Sequence, residues 1–280
     1  MRLKLAVVCS LLSTLLVPGN AWAQLTAAKD GPVVYGHHHL NVTNVEEHKK
    51  FWIGTLGGTQ AQARADIVQF PNVFVFLREQ APTGGTKGTV VNHIGFEVPD
   101  LKATVAKVRA AGYPIITKDE TTNPEKDGIA LTPQNTSIAF VMGPDNAKVE
   151  LVENKAARQP IALHHVHFFN PEFVAMRDWY AKLFSATPGT RGAFQTADLP
   201  GVSLLFATSP TPVVGTKGRT LDHVGFEVKD LEKFTKQLEA QGIKLDRPYT
   251  KVPALGIAIA FIMDPWGTYI ELTDGLSHVH

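Results

Sequence analysis

Apolar and polar residues alternate with a period of two in a stretch that occurs twice in the chain. Residues 221–228 read L-D-H-V-G-F-E-V, and residues 91–98 read V-N-H-I-G-F-E-V. Because successive side chains of a strand point to opposite faces, one face of each stretch carries His, Gly and Glu and the other is apolar. We therefore predict two strands whose apolar faces pack beneath helices. Their histidine faces should line the opposite, concave side, where each glycine leaves an open space beside His93 or His223.

Two further stretches begin with histidine in the same rhythm, H-H-H-L-N-V at residues 37–42 and H-V-H-F-F at residues 165–169. A helical pattern follows each of the four strands, and Asn44, Asp100 and Asp230 are predicted N-caps. Further strands are predicted at residues 65–70, 73–77, 115–117, 129–132, 137–142, 148–152, 202–206, 256–263 and 268–273. The chain thus divides into four units, each with a strand, a helix and more strands.

The four units form two similar halves. G-T-K-G stands at residues 85–88 and again at residues 215–218, the same interval before its histidine, and the two copies of the alternating strand begin 130 residues apart. Such self-similarity indicates an internal repeat of about 120 residues. We predict one domain at residues 34–155 and a second at residues 162–275, able to form a pseudo-dimer within one chain.

Residues 1–23 predict a secretory signal peptide, with a basic start, an apolar run at 5–17 and A-W-A at 21–23. The run is shorter than the ~20 residues that span a bilayer, although an uncleaved anchor is the alternative. We therefore expect a periplasmic or secreted protein without membrane association after cleavage. The single cysteine of the sequence, Cys9, falls inside this segment. Any metal in the mature chain must then bind to His, Asp or Glu.

Composition argues against several classes of partner. The chain carries 27 Lys and Arg against 26 Asp and Glu, and 44% of its residues are hydrophobic. It contains no basic block, so nucleic acid and anionic membranes are not expected as partners. The apolar content suffices for a core without disulfides or metal as staples. We expect a small-molecule substrate, and a monomer or a homodimer.

Glu150 and Glu271 each stand between two aliphatic residues in a predicted strand. A carboxylate in such a strand is costly unless it is paired or bound to a metal, although a half-exposed strand with its polar residue in solvent is the alternative. Imidazole and carboxylate ligands suit Fe, Zn, Mn or Ni, and two His with one carboxylate leave coordination positions open for substrate. The pattern therefore favours a divalent metal ion as cofactor.

The openings H-[IV]-G-F-E-V-x-D-L and the endings M-G-P-D-N-A-K-V-E-L and M-D-P-W-G-T-Y-I-E-L resemble the vicinal oxygen chelate superfamily. This superfamily includes glyoxalase I, extradiol dioxygenases and bleomycin-binding proteins, and the resemblance covers residues 34–275. It implies an α+β fold in which tandem βαβββ modules form two glyoxalase-like half-barrel domains around a divalent metal. The metal ligands that it implies are His37, His93 and Glu150 in the first half, and His165, His223 and Glu271 in the second.

Other polar residues share the strand face of these ligands. His39 and His167 are the candidate catalytic residues, as groups that contact substrate or relay a proton, while a purely structural role as hydrogen-bonded strand histidines is the alternative. His38 is expected to face the other way. Glu97 and Glu227 are expected to be rim or ion-pair groups, and a role as catalytic base is the alternative.

The sequence departs from the glyoxalase I pattern, in which the last strand of the first module supplies a further Glu. Strands 73–77 and 202–206 contain no acid, so the ligand set is closer to that of the extradiol dioxygenases. The resemblance therefore implies a metal-dependent enzyme of dioxygenase, lyase or isomerase type that acts on a small oxygen-chelating substrate. The alternative is a non-catalytic, drug-sequestering protein whose cups are lined by Phe76, Trp52 or Phe206.

Overall fold

A computed structural model describes residues 33–209, 211–276 and 279, so the predicted signal at 1–23 lies outside the described residues. The first unit contains β1 (Val33–Val42), α1 (Val45–Lys49), a π-helical turn (Lys50–Thr55), β2 (Thr59–Gln60), β3 (Ile67–Phe70) and β4 (Val73–Glu79). The second contains β5 (Val91–Val98), α2 (Leu101–Ala110), α3 (Thr117–Glu120), β6 (Glu125–Lys126), β7 (Ile129–Leu131), β8 (Ser137–Met142), a 3-10 turn (Pro144–Asn146) and β9 (Lys148–Glu153). The third contains β10 (Ala162–Phe169), α4 (Phe173–Phe184), β11 (Thr187–Arg191), β12 (Phe194–Leu199) and β13 (Val202–Ala207). The fourth contains β14 (Leu221–Val228), α5 (Leu231–Ala240), β15 (Leu245–Val252), β16 (Ile257–Met263) and β17 (Tyr269–Asp274).

The strands form two sheets, and each sheet combines one unit from each half of the chain. The eight-stranded sheet has the order β15-β16-β17-β14-β1-β4-β3-β2, and the nine-stranded sheet has the order β11-β12-β13-β10-β5-β9-β8-β7-β6. At the junctions, β1 pairs antiparallel with β14, and β10 pairs antiparallel with β5. The predicted domains at 34–155 and 162–275 therefore do not coincide with the sheets, and the division stays a prediction.

The apolar strand faces and the helices build one large core that includes residues from all four units. Phe96 of β5 contacts the rings of Trp52 and Phe70, with ring centroids 6.3 and 4.8 Å apart. Phe226 of β14 stacks on Phe184 of α4 at 4.2 Å. These five aromatic side chains are buried. Because they take up one face of each sheet, the polar residues of the same strands are left on the other face.

The helices that follow β1, β5 and β14 begin where the sequence predicts. Asn44, Asp100 and Asp230 each accept a hydrogen bond from the backbone N–H three residues ahead, which satisfies a donor that the first turn of a helix leaves unpaired. No helix in the described ranges is both long enough and apolar enough to cross a membrane.

Several peripheral elements differ from the prediction. The predicted strand at 115–117 is wrong, because Ile115 forms only an isolated bridge and α3 begins at Thr117. β2, β6, β11, β12 and β15 have no counterpart among the predicted strands. Of these, β11 and β15 are edge strands that contain Pro188 and Pro248, and their residues are mostly exposed. An edge position tolerates proline and needs no alternating apolar pattern, so these strands lack the signal that identifies buried ones.

Candidate metal centres

Two groups of His and Glu side chains lie on the sheet faces opposite the core. Centre 1 consists of His37, His39, His223 and Glu271, and centre 2 consists of His93, Glu150, His165 and His167. Within each centre, one potential ligand atom of every residue lies within 4.8 Å of the others. All six predicted ligands and both predicted catalytic histidines therefore fall into one of two compact sets.

Centre 1 is built by three neighbouring strands. β1 pairs with β14 so that His37 lies opposite Gly225 and His39 lies opposite His223. β14 pairs in parallel with β17, which places Glu271 beside Gly225. The Nε2 atoms of His37 and His223 are each 2.9 Å from Oε2 of Glu271. Three potential ligand atoms from three strands therefore converge on one point.

Centre 2 repeats this arrangement with β10, β5 and β9. His165 lies opposite Gly95 in the β10–β5 ladder, and Glu150 lies beside the same glycine. The Nε2 atoms of His93 and His165 are 2.9 and 3.2 Å from Oε2 of Glu150. The two Nε2 atoms are 3.4 Å apart.

The predicted grouping of the ligands by halves of the chain is wrong. His37 was expected with His93 and Glu150, but it lies with His223 and Glu271, and the equivalent histidine of β10 is exchanged in the same way. The physical reason is that β1 forms its hydrogen-bond ladder with β14 of the fourth unit and not with β5 of the second. The role of the six residues as metal ligands stays a prediction.

A hydrogen bond at Nδ1 orients one histidine in each centre. Nδ1 of His223 is 2.7 Å from Oδ1 of Asp222, and Nδ1 of His93 is 2.9 Å from Oδ1 of Asn92. A neutral imidazole with an acceptor at Nδ1 carries its proton there, so its lone pair is on Nε2. Sequence reasoning missed both partners, although the residue before the histidine in the two alternating strands was a signal for them.

The two carboxylates are ionised. Burial alone would raise the pKa of Glu271 and Glu150, but the histidines around each carboxyl hold its pKa well below the ordinary range. Burial lowers the pKa of His93 to about 4. Burial also acts to lower the pKa of His223, but its hydrogen bonds with Asp222 and Glu271 outweigh that effect and raise it.

His39 and His167 lie beside the ligands without the same hydrogen-bond partners. Their rings are centred 4.4 Å from His223 and 4.8 Å from His93, respectively. Among the described residues, Nε2 of His39 and both ring nitrogens of His167 are buried with no hydrogen-bond partner. Burial lowers the pKa of both rings well below the ordinary value, so they are neutral. His38 faces the other way, as predicted, with Nδ1 2.7 Å from a tyrosine hydroxyl.

The glycines of the alternating strands make room for a histidine of the neighbouring strand. A Cβ atom on Gly225 would lie 2.1 Å from Cε1 of His37, and one on Gly95 would lie 2.1 Å from Cε1 of His165. The space predicted to be open beside His223 is therefore filled by the ring of another candidate ligand. Local sequence could not show this, because the ring belongs to a strand that is distant in the chain.

The strands that carry the additional Glu in the glyoxalase I pattern offer apolar or hydroxyl groups here. Phe76 of β4 stacks on His39 with ring centroids 5.7 Å apart and contacts His37 at 5.0 Å. β13 places Ser203 and Leu205 beside the histidines of β10. Neither strand, both described in full, contributes a carboxylate to a centre.

The remaining predicted residues are divided between the site and the core. Of the three aromatic residues predicted to line a binding cavity, Phe76 contacts centre 1, whereas Trp52 and Phe206 are buried in the core cluster. The prediction that Glu227 is a rim or ion-pair group is wrong: its carboxylate is buried and accepts hydrogen bonds from a threonine hydroxyl and two backbone N–H groups. Glu97 accepts a hydrogen bond from an asparagine amide.

The donor set fits a divalent cation. In centre 2, Nε2 of His93, whose pKa burial lowers to about 4, presents a lone pair to an ionised carboxylate 2.9 Å away. The same two atoms of His223 and Glu271 are also 2.9 Å apart in centre 1. Two lone pairs at this distance repel unless a proton or a metal ion lies between them. Protonating a fully buried imidazole is costly, whereas imidazole and carboxylate ligands on one face suit Fe, Zn, Mn or Ni.

Comparison with known protein families identifies the class of protein to which this chain, with its two sheets and two His/Glu sets, belongs. A model of the Glyoxalase/Bleomycin resistance protein/Dioxygenase superfamily matches residues 120–272. The chain belongs to this superfamily, and its paired βαβββ units are the α+β architecture that the sequence predicted.

The chain is also similar to individual proteins, namely two bacterial relatives and a plant glyoxalase I structure. The chain is 31% identical over 125 residues to the lactoylglutathione lyase of Haemophilus influenzae, which is 45% of this chain and 80% of that protein. It is 39% identical over 71 residues to a Vibrio cholerae protein named "Probable lactoylglutathione lyase", which is 25% of this chain and 45% of the relative. Among solved structures, glyoxalase I from Zea mays superimposes with a TM-score of 0.66 at 18% identity, over 88% of this chain and 94% of the maize chain. At this identity the structural likeness shows the fold alone.

Proposed function

We propose that the protein is a divalent-metal-dependent enzyme that acts on a small substrate with two neighbouring oxygen atoms. The observation that carries the proposal is the convergence of two Nε2 atoms and one carboxylate oxygen at each centre, with distances of 2.9 Å to Glu271 in centre 1 and 2.9 to 3.2 Å to Glu150 in centre 2. Three protein ligands leave coordination positions open for substrate.

The residues of the chain have distinct roles in this proposal. In centre 1, His37, His223 and Glu271 would hold the ion, and His165, His93 and Glu150 would do so in centre 2. A bound divalent ion would polarise the two substrate oxygens. Nε2 of His39 lies beside centre 1 and has no partner among the described residues, so it is placed to accept a proton from a bound substrate and to return it.

The relatives and the ligand set support different reaction types. The lactoylglutathione lyase names of the relatives favour proton transfer of the lyase or isomerase type. A neutral histidine beside each centre suits the same chemistry, because only the neutral ring accepts a proton. A dioxygenase-type reaction is the second candidate, since neither β4 nor β13 contributes the fourth carboxylate that a glyoxalase-type site would need.

The metal content of the purified chain tests the proposal. We expect two equivalents of divalent metal in the wild type and one in either Glu271→Gln or Glu150→Gln. Because His37 and His223 belong to one centre, His37→Ala and His223→Ala should each remove the same single equivalent. Iron would direct a substrate screen toward catechols with dioxygen, and zinc, nickel or manganese toward isomerase and lyase substrates. A chain that takes up none of Fe, Zn, Ni and Mn would refute the proposal and favour a drug-sequestering protein.

We further propose that residues 1–23 are cleaved and that the mature protein acts in the periplasm or outside the cell, as a monomer or a homodimer. The proposal is supported by the basic start, the apolar run and the A-W-A segment before Gln24. The N-terminal sequence of the protein recovered from the periplasmic or external fraction should begin at Gln24. Recovery of the uncleaved chain with the membrane fraction would indicate an anchor instead.

A further inference from the structure

The two centres have the same types of ligand. They differ in the residue that contacts Nδ1 of the histidine from the alternating strand, which is His223 in centre 1 and His93 in centre 2. We infer that the two centres bind metal unequally and that centre 1 has the higher affinity, because Nδ1 of His223 is hydrogen-bonded to a carboxylate whereas Nδ1 of His93 is hydrogen-bonded to a neutral amide. The inference rests on the proposed function, since it supposes that both centres take a divalent ion. It identifies Asp222 as a positioning residue that acts on the metal through His223.

Asp222 is held in place on both oxygens. Oδ1 is 2.7 Å from Nδ1 of His223, while Oδ2 accepts hydrogen bonds from the side-chain amide of Asn41 at 3.0 Å and from the backbone N–H of Gly218 at 2.6 Å. The residue is buried. A fixed carboxylate at Nδ1 both orients a metal-bound imidazole and raises its basicity, which strengthens the metal–nitrogen bond.

Asn92 occupies the equivalent place in centre 2 without a charge. Its Oδ1 is 2.9 Å from Nδ1 of His93, and the residue is buried like Asp222. The amide can therefore hold the same tautomer and ring orientation, but it adds no negative charge to the imidazole. The chain thus contains a matched pair of sites that differ by one carboxylate behind one ligand.

A second difference in charge also favours metal binding at centre 1 over centre 2. Lys148 precedes Glu150 by two residues, its side chain is buried, and its Nζ lies 5.6 Å from the centroid of Phe140, which in turn contacts His93 at 5.3 Å. Its ammonium pairs with Glu120 at 2.7 Å, and Lys87 pairs with the same carboxylate. Glu120 is thus shared between buried Lys148 and the more exposed Lys87, so it neutralises Lys148 only in part, and the buried ammonium disfavours a divalent cation at centre 2.

Centre 1 lacks this cation. The strand register places Tyr269 where centre 2 has Lys148, and the tyrosine hydroxyl donates a hydrogen bond to Asp246 at 2.8 Å. Lys217 lies over the Tyr269 ring but is half exposed, and Asp246 neutralises it at 2.8 Å. The local charge around centre 1 is therefore more negative than that around centre 2.

One hydrogen-bond contact favours centre 2 over centre 1. Nδ1 of His165 in centre 2 is 2.8 Å from Nδ1 of His164, whereas Nδ1 of His37 in centre 1 has no partner in the described part of the chain. The partner of His165 is an imidazole and not a carboxylate. It can orient the ring, but a neutral group changes the basicity of the ligand less than the charge of Asp222 does.

The affinity of each isolated centre for Zn²⁺ tests the inference. The His165→Ala variant leaves centre 1 intact and His37→Ala leaves centre 2 intact, so each single-centre chain can be titrated with Zn²⁺ against a chromophoric chelator. Removing an outer hydrogen-bond partner of a metal ligand typically costs about 10- to 100-fold in metal affinity. We expect centre 1 to bind Zn²⁺ more tightly than centre 2 by about this factor.

Reciprocal substitutions then assign the cause. In the His165→Ala chain, Asp222→Asn should weaken Zn²⁺ binding about 10- to 100-fold, and in the His37→Ala chain, Asn92→Asp should strengthen it by a similar factor. A gain at centre 2 cannot result from misfolding, so the second substitution keeps the test informative even if Asp222→Asn destabilises the chain. Thermal unfolding in chelator is the control for the integrity of each variant.

The outcomes separate the two claims. Unequal affinities that follow the carboxylate in both exchanges support the inference. Two centres that bind Zn²⁺ with the same affinity, or an Asn92→Asp variant that gains none, overturn the inference while the proposed function stands. Failure of every variant and of the wild type to bind Zn²⁺, Fe²⁺, Mn²⁺ or Ni²⁺ overturns the proposed function as well.

Discussion

Replacing Gly225 by alanine should disable centre 1 through a single added methyl group. Its Cβ would lie 2.1 Å from both Cε1 and Nδ1 of His37 and 2.5 Å from Nε2. Non-bonded carbon atoms approach to about 3.5–4.0 Å, so the ring must move by about 1.4 Å or more. Phe76 and His223, with ring centroids 5.0 and 5.7 Å from His37, leave little space for a small adjustment.

The displacement should separate the ligands rather than unfold the protein. Nε2 of His37 is 2.9 Å from Oε2 of Glu271, and a movement of this size removes the nitrogen from the metal position. Overpacking of a buried site typically costs about 1–3 kcal/mol, which a domain of ordinary stability survives. Gly225→Ala should therefore retain one equivalent of metal, and its unfolding free energy in chelator should fall by about 1–3 kcal/mol.

Metal analysis and denaturant unfolding in chelator measure both quantities, and the chain offers two matched controls. Gly95→Ala should remove the other equivalent through His165, whose Cε1 would be 2.1 Å from the new Cβ. Gly54→Ala, at an exposed glycine in a helical turn with no atom within 4 Å of the added Cβ, should leave the metal content unchanged and should not lower the unfolding free energy. A Gly225→Ala protein that still binds two equivalents with wild-type affinity would refute the argument that the glycine makes room for His37.

Three further predictions follow from buried polar groups. Tyr35→Phe removes the hydroxyl 2.7 Å from Nδ1 of buried His38, so the unfolding free energy should fall by about 1–3 kcal/mol with unchanged metal content; a loss of metal would contradict the structural role of His38. Chelator should lower the melting temperature of the wild type but not of the Glu150→Gln/Glu271→Gln double variant, because free metal at 100 times Kd stabilises a centre by about 2.7 kcal/mol. Burial raises the pKa of Glu227 above its ordinary value of 4.5, so the native state holds this proton more tightly and the group's contribution to stability is lost as pH rises through the raised pKa. As the pH rises from 4.5 through the raised pKa, the unfolding free energy of the wild type should therefore fall relative to that of Glu227→Gln, as measured by denaturant titration. A difference between the two proteins that does not change with pH would show that the carboxyl does not titrate in this range.

Much of the candidate site could be predicted because strand periodicity is local information. The alternation in residues 91–98 and 221–228 places His93 and His223 on the face opposite the core, and the aliphatic neighbours of Glu150 mark it as an isolated carboxylate in a buried strand. The N-caps could be predicted for the same reason, since each needs only one side chain and a backbone N–H three residues ahead. Edge strands such as β11 and β15 could not, because an exposed strand needs no apolar face.

The sequence was sufficient to predict the superfamily, the four units, the six candidate ligands and the direction in which His38 points. Which of these ligands meet depends on how the strands pair in the folded chain. The two alternating strands are nearly identical, so β1 could have paired with either one, and no residue within β1 distinguishes them by local pattern. The choice of β14 depends on contacts between units more than a hundred residues apart in the chain, where Tyr35 packs edge-on against Phe226 and the register brings His37 against Gly225. The same pairing also places Asp222 in the centre of His37 and Asn92 in the centre of His165, because each residue contacts the histidine that follows it on its own strand.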